Sequence, residues 1–401
     1  MNKEDAILRV AAKGDGVTES GQHVARAAPG DVLMADGSLQ HGPHHADPPC
    51  PHFGACGGCQ LQHLDEESLA QFVSSRVLNA AHGQDLEPEI FAPPHLSPPR
   101  SRRRATLHAQ RTGNRIRLGF REAGSHRLVD LQDCPVLAPQ LFALAVPLRT
   151  MLAAQSGKRL AVDIEMALAD QGVDIGLKGL TVEGLAATEA LLDFARSHGL
   201  ARLTVDQGFG AETMWEPQPV TVTLGGVPVG LPPGAFLQPT ADGEAALAGA
   251  VHEWLADTAA IADLFSGLGT FGFTLAGTAK VLAVEAARDM QLACKAAAGA
   301  AQLPLHMLHR DLFRSPLQPD ELNRFDAVVL DPPRAGAKEQ VRQLAASTVP
   351  RIVYVSCNPS SWARDARALC DAGYRLAEVR PVGQFRWSTH VELASLLVRE
   401  G

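Results

Sequence analysis

The C-terminal part of the chain alternates apolar strand-like runs with alanine-rich helical segments, and this pattern limits the possible folds more than any other feature. From residue 231 onward the apolar runs are AAIADLF, KVLAVE, LHMLHRD, FDAVVLD, RIVYVSC and ELASLLV, and helical segments separate most of them. Strands that alternate with helices form a parallel sheet covered on both faces, and such sheets bind ligands at the carboxyl ends of their strands. The pattern predicts a doubly wound α/β domain over residues 231–401.

A glycine-rich loop follows the first of these strands and indicates a nucleoside-containing cofactor. It contains Gly267 and Gly269, which let the backbone turn sharply and approach a ligand beside a helix N-terminus. Glu285 ends the next strand, where a carboxylate can bind both hydroxyls of a ribose. Nicotinamide dinucleotides and S-adenosylmethionine both use such a loop. Asp263, inside the strand before the loop, favours S-adenosylmethionine, and Asp311 is a candidate partner for the adenine amine.

The next two strands end in motifs that carry chemistry. Asp331 is followed by two prolines, which make a stiff ledge, and then by Arg334, where enzymes that methylate exocyclic amines place an aromatic residue. Cys357 is followed by Asn358 and Pro359, a good N-cap and a good first helical residue. A thiol just before a helix N-terminus is expected to have a lowered pKa. The alternative is a small residue that packs at a strand end.

A nucleophilic cysteine suits methylation at C5 of uracil. This carbon is too weak a nucleophile to take a methyl group directly, but addition of a thiolate at C6 gives C5 the character of an enolate carbon. A base must then remove the C5 proton so that the cysteine can leave. Glu392, in THVE at the start of the last strand, is the best candidate, and a solvated strand-end carboxylate is the alternative.

Cysteines also cluster near the N-terminus. Cys50, Cys56 and Cys59 lie within ten residues, and Cys134 follows far downstream. The first residues, MNKEDAILRV, contain no apolar run typical of a signal peptide. No segment reaches the ~18 apolar residues of a membrane span. We therefore expect a cytoplasmic protein without disulfides. Four thiolates suit either an iron–sulfur cluster or zinc, and the spacing leaves both open.

One basic segment stands out from a chain whose net charge is −8. Residues 100–127 contain nine arginines, no lysine and one acid, Glu122. Guanidinium groups pair bidentately with phosphate oxygens, so this segment predicts RNA phosphate binding, with a solvated basic face as the alternative.

Together these residues resemble the RNA 5-methyluridine methyltransferase family, and in particular its iron–sulfur branch, which acts on 23S rRNA. The resemblance covers most of the chain. It implies a class I (Rossmann-like) methyltransferase sheet over residues 231–401 and a β-rich central iron–sulfur and RNA-binding domain over residues 46–230. Residues 1–45, with short β segments separated by Gly, Asp and Pro, are similar to a reduced TRAM (OB-like) domain. Chains of 401 residues ordinarily form two or three domains.

The resemblance also implies roles for individual residues. Cys357 matches the family's nucleophile, Glu392 its proton-abstracting base and Asp331 the aspartate that binds the uracil. The expected cofactor-binding residues are Gln238, Phe265, Gly267, Gly269, Thr270, Glu285, Asp311 and Asp331. The four cysteines, Cys50, Cys56, Cys59 and Cys134, are similar to that branch's [4Fe–4S] ligands.

The resulting hypothesis is a monomeric, cytoplasmic, S-adenosylmethionine-dependent RNA (uracil-C5)-methyltransferase that acts on 23S rRNA and has neither a DNA nor a membrane partner. The nearest alternative is a tRNA uridine C5-methyltransferase. A 5-methylcytosine enzyme is disfavoured because Asp331, not a Pro-Cys motif, follows the fourth strand. A non-catalytic iron–sulfur RNA-binding protein and a nicotinamide oxidoreductase are the alternatives from other classes.

Overall fold

A computed structural model describes residues 4–155 and 160–399. Its N-terminal part is a small sheet with the strand order β3-β2-β1-β4-β5, in which all neighbouring strands are antiparallel. The strands are β1 (Asp5–Val10), β2 (Gly16–Thr18), β3 (His23–Val24), β4 (Val32–Leu33) and β5 (Leu39–Gln40). The segment that connects this sheet to the central part of the molecule contains α1 (Glu66–His82), β6 (Ile90–Phe91) and β7 (His95–Leu96). We call it the connecting segment.

The central part is built on a mostly antiparallel sheet with its own core. The strand order is β13-β12-β11-β10-β8-β9, and only the β11–β12 pair is parallel among the described residues. Its apolar core joins strand residues such as Leu107 and Ile164 to helix residues such as Leu148 and Leu191. The elements are β8 (Arg104–Thr112), β9 (Arg115–Gly119), α2 (Pro139–Phe142), α3 (Ala145–Ala154), β10 (Ala161–Ala169), β11 (Gly172–Lys178), α4 (Gly184–Ser197), β12 (Arg202–Asp206) and β13 (Ala211–Trp215).

The C-terminal part is the predicted doubly wound α/β domain. A small hairpin, β14 (Thr221–Leu224) and β15 (Val227–Gly230), precedes it. The remaining elements are α5 (Ala241–Leu255), β16 (Ala260–Leu264), α6 (Thr270–Leu275), β17 (Lys280–Glu285), α7 (Arg288–Ala300), β18 (Leu305–His309), α8 (Pro319–Leu322), β19 (Ala327–Leu330), α9 (Lys338–Ala345), β20 (Arg351–Ser356), α10 (Pro359–Asp371), β21 (Tyr374–Gly383) and β22 (Glu392–Arg399).

The C-terminal sheet has the order β18-β17-β16-β19-β20-β22-β21-β6, and β7 also pairs with β21. Strands β16 to β20 are mutually parallel, whereas β22 runs antiparallel to both of its neighbours. All six predicted strands are present, and the fold class is confirmed. Strand β21 was not among the predicted strands.

The connecting segment, which contains α1, β6 and β7, falls within the predicted central domain, residues 46–230, but it packs on the C-terminal sheet. Helix α1 buries Leu69, Phe72 and Val73 in one cluster with Trp362 of α10 and Val379 of β21. Burial of such a side chain contributes roughly 1.5–3 kcal/mol, so the apolar stripe of α1 determines where this helix packs. Strands β6 and β7 add to the edge of the C-terminal sheet. The connecting segment thus packs on the C-terminal sheet. The division of the chain into three domains stays a prediction.

None of the helices in the two described ranges is long and apolar enough to cross a membrane.

Candidate active site

A cavity of about 500 Å³, which we call the main cavity, opens at the carboxyl ends of the parallel strands β16 to β20. This is the position that doubly wound sheets use for ligands. Nine of the predicted site residues line it: Gln238, Phe265, Gly267, Thr270, Glu285, Asp311, Asp331, Cys357 and Glu392. The tertiary structure thus brings together residues that lie up to 154 positions apart in the sequence.

Gly269 is the predicted cofactor residue that the structure does not place in the cavity lining. It is the N-cap of α6 and has a φ angle of 80°, in the left-handed region. A Cβ atom at this position would lie 2.9 Å from the ring of Phe273. The position therefore requires glycine for the turn and for close packing, independently of any ligand.

The glycine-rich loop is held in a defined conformation. The Glu285 carboxylate accepts hydrogen bonds from the backbone N–H groups of Gly267 (2.9 Å) and Ala287 (2.6 Å). Phe265 has a φ angle of 61°, which is unusual for a bulky residue and is typical of functional loops. Its ring lies against that of Phe313, with 5.2 Å between centroids.

Asp263 lies beneath this loop and is fully buried. Neither of its carboxyl oxygens has a hydrogen-bond partner within the described ranges, and burial raises the pKa of this group to about 7. The nearby backbone N–H of Gly272 opposes this rise. Asp263 does not line the main cavity, so a ligand bound there would not contact it directly.

Cys357 lies between β20 and α10, and the predicted cap of this helix is confirmed. The side chain of Asn358 accepts a hydrogen bond from the backbone N–H of Ser360, and Pro359 is the first helical residue. The Asn358 amide also donates to the backbone oxygen of Arg334 (2.9 Å). This bond ties the cysteine loop to the loop that follows Asp331, so both groups are held at the same end of the sheet.

The expected lowering of the Cys357 pKa is wrong for this structure. Burial raises the pKa of the thiol, and the nearby carboxyl groups of Glu392 and Asp331 raise it further. Arg334 opposes this shift but does not outweigh it. The expectation considered only the helix terminus beside Cys357. Burial of the thiol and the two acids depend on the rest of the fold, and they act in the opposite direction.

Two acidic side chains face Cys357 across the cavity. Burial raises the pKa of Glu392 to about 7, while a hydrogen bond from Gln384 and the charge of Arg104 lower it. Asp331 has a pKa well above its ordinary value because of burial and because Glu392 and Asp263 are near. Each acid thus opposes ionisation of the other, as expected for carboxyl groups in one poorly solvated site.

The four clustered cysteines line a second cavity of about 460 Å³, the cysteine cavity, and none forms a disulfide. Burial raises the pKa of Cys59 to about 12 and also raises those of Cys56 and Cys134, and nearby thiols contribute to each shift. Within residues 4–155 and 160–399, no three or more His, Cys, Asp or Glu side chains form a group that could hold a single metal ion.

The basic segment divides into an internal and an exposed part. The guanidinium of Arg103 pairs with Glu244 (2.5 Å), that of Arg104 donates to the Leu237 backbone oxygen (3.0 Å), and that of Arg102 lies over the ring of Phe385. These three arginines therefore join the central part to the C-terminal part of the molecule. The exposed arginines are Arg100, Arg115, Arg117, Arg121 and Arg127. These five arginines are the candidates for the predicted phosphate-binding surface.

Sequence reasoning missed several residues of the site. Phe236, Met290 and Phe313 also line the main cavity. Gln384 is buried and donates a hydrogen bond to Glu392. The only signal for Phe313 was its position two residues after Asp311, and Gln384 carried no signal beyond its place in the segment before Glu392.

Known proteins resemble this chain along its whole length. A family model described as tRNA (Uracil-5-)-methyltransferase matches residues 309–400. An RNA methyltransferase of Zymomonas mobilis is 51% identical, covering 98% of this chain and 99% of its own. The 23S rRNA (uracil(1939)-C(5))-methyltransferase RlmD of Edwardsiella ictaluri is 34% identical, covering 89% of this chain and 83% of its own.

A solved structure has the same fold. The tRNA (uracil-54, C5)-methyltransferase of Pyrococcus abyssi, in complex with S-adenosyl-L-homocysteine, has a TM-score of 0.75 and 22% identity, covering 99% of this chain and all of its own. The similarity in sequence to the Zymomonas mobilis relative extends over the N-terminal, central and C-terminal parts alike. The chain therefore belongs to the family of RNA uracil-C5 methyltransferases.

Proposed function

We propose that this enzyme methylates C5 of a uridine in 23S rRNA through a covalent adduct between Cys357 and C6 of the base. The observation that carries the proposal is that Cys357, Glu392 and Asp331 meet in one cavity with the glycine-rich loop. A nucleophile, a base and a group able to bind the base edge are what this reaction needs.

The proposed steps use three side chains. The Cys357 thiolate adds to C6, and the electron pair of the C5–C6 double bond moves toward C5 and the O4 carbonyl. C5 would then form a bond to the methyl group while the bond between this methyl and the sulfonium sulfur of the donor breaks, which would leave a neutral thioether. Glu392 removes the C5 proton, the C5–H electron pair re-forms the double bond, and the C6–S bond breaks to release the Cys357 thiolate. Burial favours the neutral form of Asp331, which can donate a hydrogen bond to a uracil carbonyl oxygen as negative charge develops there.

The residues of the main cavity fit S-adenosylmethionine. Glu285 lies where a carboxylate can bind a ribose, and Phe265 and Phe313 offer aromatic surface beside Asp311 for an adenine. The cofactor supplies an activated methyl group on a positively charged sulfonium, and this charge favours the thiolate form of Cys357.

We further propose that Cys50, Cys56, Cys59 and Cys134 hold a [4Fe–4S] cluster. All four line one cavity, although the described residues offer no group that could hold a single ion. Four thiolates suit a [4Fe–4S] cluster and also suit zinc. The resemblance to the iron–sulfur branch of the family favours the cluster.

The 23S rRNA target is favoured by one comparison and is open to test. The 34% identical relative is named for a 23S rRNA uridine, whereas the fold neighbour named for tRNA uracil-54 is 22% identical. We expect deletion of the gene to remove a 5-methyluridine from 23S rRNA and to leave tRNA 5-methyluridine unchanged, as measured by mass spectrometry of each purified RNA. The wild-type gene should restore the modification, and a Cys357→Ala gene should not. Loss confined to tRNA would favour the alternative target.

A charge-reversal experiment tests the RNA surface. Arg115 and Arg117 are exposed on the same face of β9, because they alternate with buried Ile116 and Leu118. Changing both to Glu is expected to weaken RNA binding by roughly tenfold or more and to reduce the slope of log affinity against log salt by about 2, one per lost phosphate contact. Binding of S-adenosylhomocysteine should not change.

The matched control reverses two other exposed arginines, Arg196 on α4 and Arg342 on α9, each of which forms a surface pair within its helix. Both double variants change the net charge equally. If they weaken RNA binding equally, the effect is general electrostatics and the β9 surface is not the RNA contact.

The monomeric state, the cytoplasmic location and the lack of a DNA partner stay predictions.

A further inference from the structure

Gln384, in the loop between β21 and β22, connects the two sides of the main cavity. Its side chain is 1% exposed. Its amide nitrogen donates to Oε1 of Gln238 (2.8 Å) and to Oε2 of Glu392. Both acceptors line the main cavity, and they come from segments 154 residues apart. One buried amide thus links a residue assigned to cofactor binding with the residue assigned to proton removal.

The structure provides a space that this side chain fills. Gly243 lies in the first turn of α5, where glycine is an unfavourable helix residue. A Cβ atom on Gly243 would lie 2.6 Å from Cβ of Gln384, 2.7 Å from its Oε1 and 2.7 Å from Oγ1 of Thr240. The side chain at position 384 therefore depends on the absence of a side chain at position 243.

The orientation of the amide depends on the protonation state of Glu392. With its nitrogen toward Glu392, Gln384 stabilises the carboxylate, and its own oxygen is then buried without a partner in the described part of the chain. The opposite orientation would direct the Gln384 oxygen at Glu392 and at Gln238, whose amide would rotate with it so that its nitrogen becomes the donor. At Glu392 this oxygen repels a carboxylate but accepts a hydrogen bond from a carboxylic acid. A glutamine can therefore serve both forms of the acid, which an apolar residue cannot.

We propose that Gln384 is a positioning residue for proton removal. It aims the Glu392 carboxylate at the C5 proton, and after proton transfer its amide accepts the hydrogen bond of the new Glu392 carboxyl group. In this step the C5–H bond breaks, an O–H bond forms on Glu392, and the C5–H electron pair restores the C5–C6 double bond as the bond to Cys357 breaks. This inference rests on the proposed function of Glu392.

The pH dependence follows from the groups around Glu392. Arg104 from β8, Asp331 after β19 and Cys357 after β20 face it. Burial raises the pKa of Glu392 and the hydrogen bond from Gln384 lowers it. When this donor is removed, the pKa of Glu392 therefore rises further. A base is active when it is deprotonated. Adduct breakdown should therefore shift to higher pH. Any shift in adduct formation should be in the opposite direction, because a neutral Glu392 no longer raises the pKa of the Cys357 thiol.

The test compares Gln384→Met with the wild type in single-turnover reactions on RNA, following formation and decay of the covalent adduct between pH 6 and 9. We expect the acid limb of adduct decay to move up by about one pH unit, because a hydrogen bond to a charged group contributes about that much. At pH 7, where about half of Glu392 is deprotonated in the wild type and about a tenth in the variant, decay should be about fivefold slower. The adduct should accumulate at neutral pH and disappear normally at high pH.

Two further variants separate positioning from general destabilisation. Gln340 of α9 is also buried, and among the described residues its side chain bonds the backbone of Leu317 and does not line the main cavity. Gln340→Met should lower thermal stability without moving the pH profile. Gly243→Ala displaces Gln384 without changing it, and it should reproduce a smaller shift of the same sign. This second variant tests the inference even if Gln384→Met does not fold.

The outcomes distinguish this inference from the proposed function. If Gln384→Met and Gly243→Ala both show wild-type adduct decay at every pH, the role of Gln384 is wrong, although Glu392 can still be the base. A shift of equal size in Gln340→Met would equally exclude a positioning role. If the wild type forms no adduct with 5-fluorouridine RNA, the proposed function itself fails.

Discussion

The Cys357→Ala enzyme is expected to form no covalent RNA species and to transfer no methyl group, whereas the Glu392→Gln enzyme is expected to accumulate a methylated protein–RNA adduct. The two substitutions act on opposite ends of the proposed sequence of steps. Without the thiol, C5 is never activated. Without the carboxylate, addition and methyl transfer remain possible, but the C5 proton stays in place and the thiolate cannot leave. Loss of a general base ordinarily slows its step by about 10²–10⁴-fold, which is enough for the adduct to persist.

The measurement is denaturing gel electrophoresis of reactions with a labelled methyl donor, where the adduct appears as a radioactive band at the mass of protein plus RNA. RNA that contains 5-fluorouridine should trap the wild type in the same way, because fluorine cannot leave as a cation. Cys370→Ala is the matched control, since this half-buried cysteine on α10 lies outside both cavities. Methylation by Cys357→Ala, or normal turnover by Glu392→Gln without an adduct, would refute the assigned roles.

Loss of any one of Cys50, Cys56, Cys59 or Cys134 is expected to remove the proposed [4Fe–4S] cluster and most of the activity. The wild type purified without oxygen should be brown and contain about four irons per chain, and each Cys→Ser variant should be colourless, with a lower melting temperature. The cysteine cavity is also lined by Phe385, Ser388, Thr389 and His390, which precede Glu392. Two N–H groups of the cysteine loop, those of Gln60 and Leu61, donate to the Trp387 backbone oxygen (2.8 and 2.9 Å).

Because this loop supports the segment that carries Glu392, methylation is expected to fall along with the iron content. The measurements are iron and sulfide analysis, the visible spectrum and thermal unfolding, and Cys370→Ser should match the wild type in each. One equivalent of zinc per chain in a colourless, fully active preparation would show that the site is a zinc site. Unchanged iron content in any one of the four variants would remove that cysteine from the ligand set.

Local patterns in the sequence were enough to predict the elements that hold the site. The strands β16 to β20 follow from apolar runs of four to six residues, and the cap of α10 follows from Asn358 and Pro359. These features depend on neighbours within a few positions, which is why a linear sequence contains them. The motifs around Asp331 and Cys357 also end adjacent parallel strands, so their meeting at one edge could be expected.

The tertiary structure alone decided how the side chains are paired and solvated. Arg102, Arg103 and Arg104 read as a phosphate-binding cluster in the sequence, but their partners come from distant segments and make them internal contacts. The thiol of Cys357 has a raised pKa because burial and two acids from other strands outweigh the helix terminus beside it.

The packing of α1 and the contacts of Gln384 were also decided by the tertiary structure. An apolar stripe shows that α1 must be buried, but not whether it packs on the central or the C-terminal sheet. Gln384 is joined to Gln238 and Glu392 only through the folded chain. Sequence patterns therefore determined the elements of this protein and its candidate reacting groups. Desolvation, ion pairing and side-chain hydrogen bonds depend on distances between remote segments, and only the tertiary structure sets those distances.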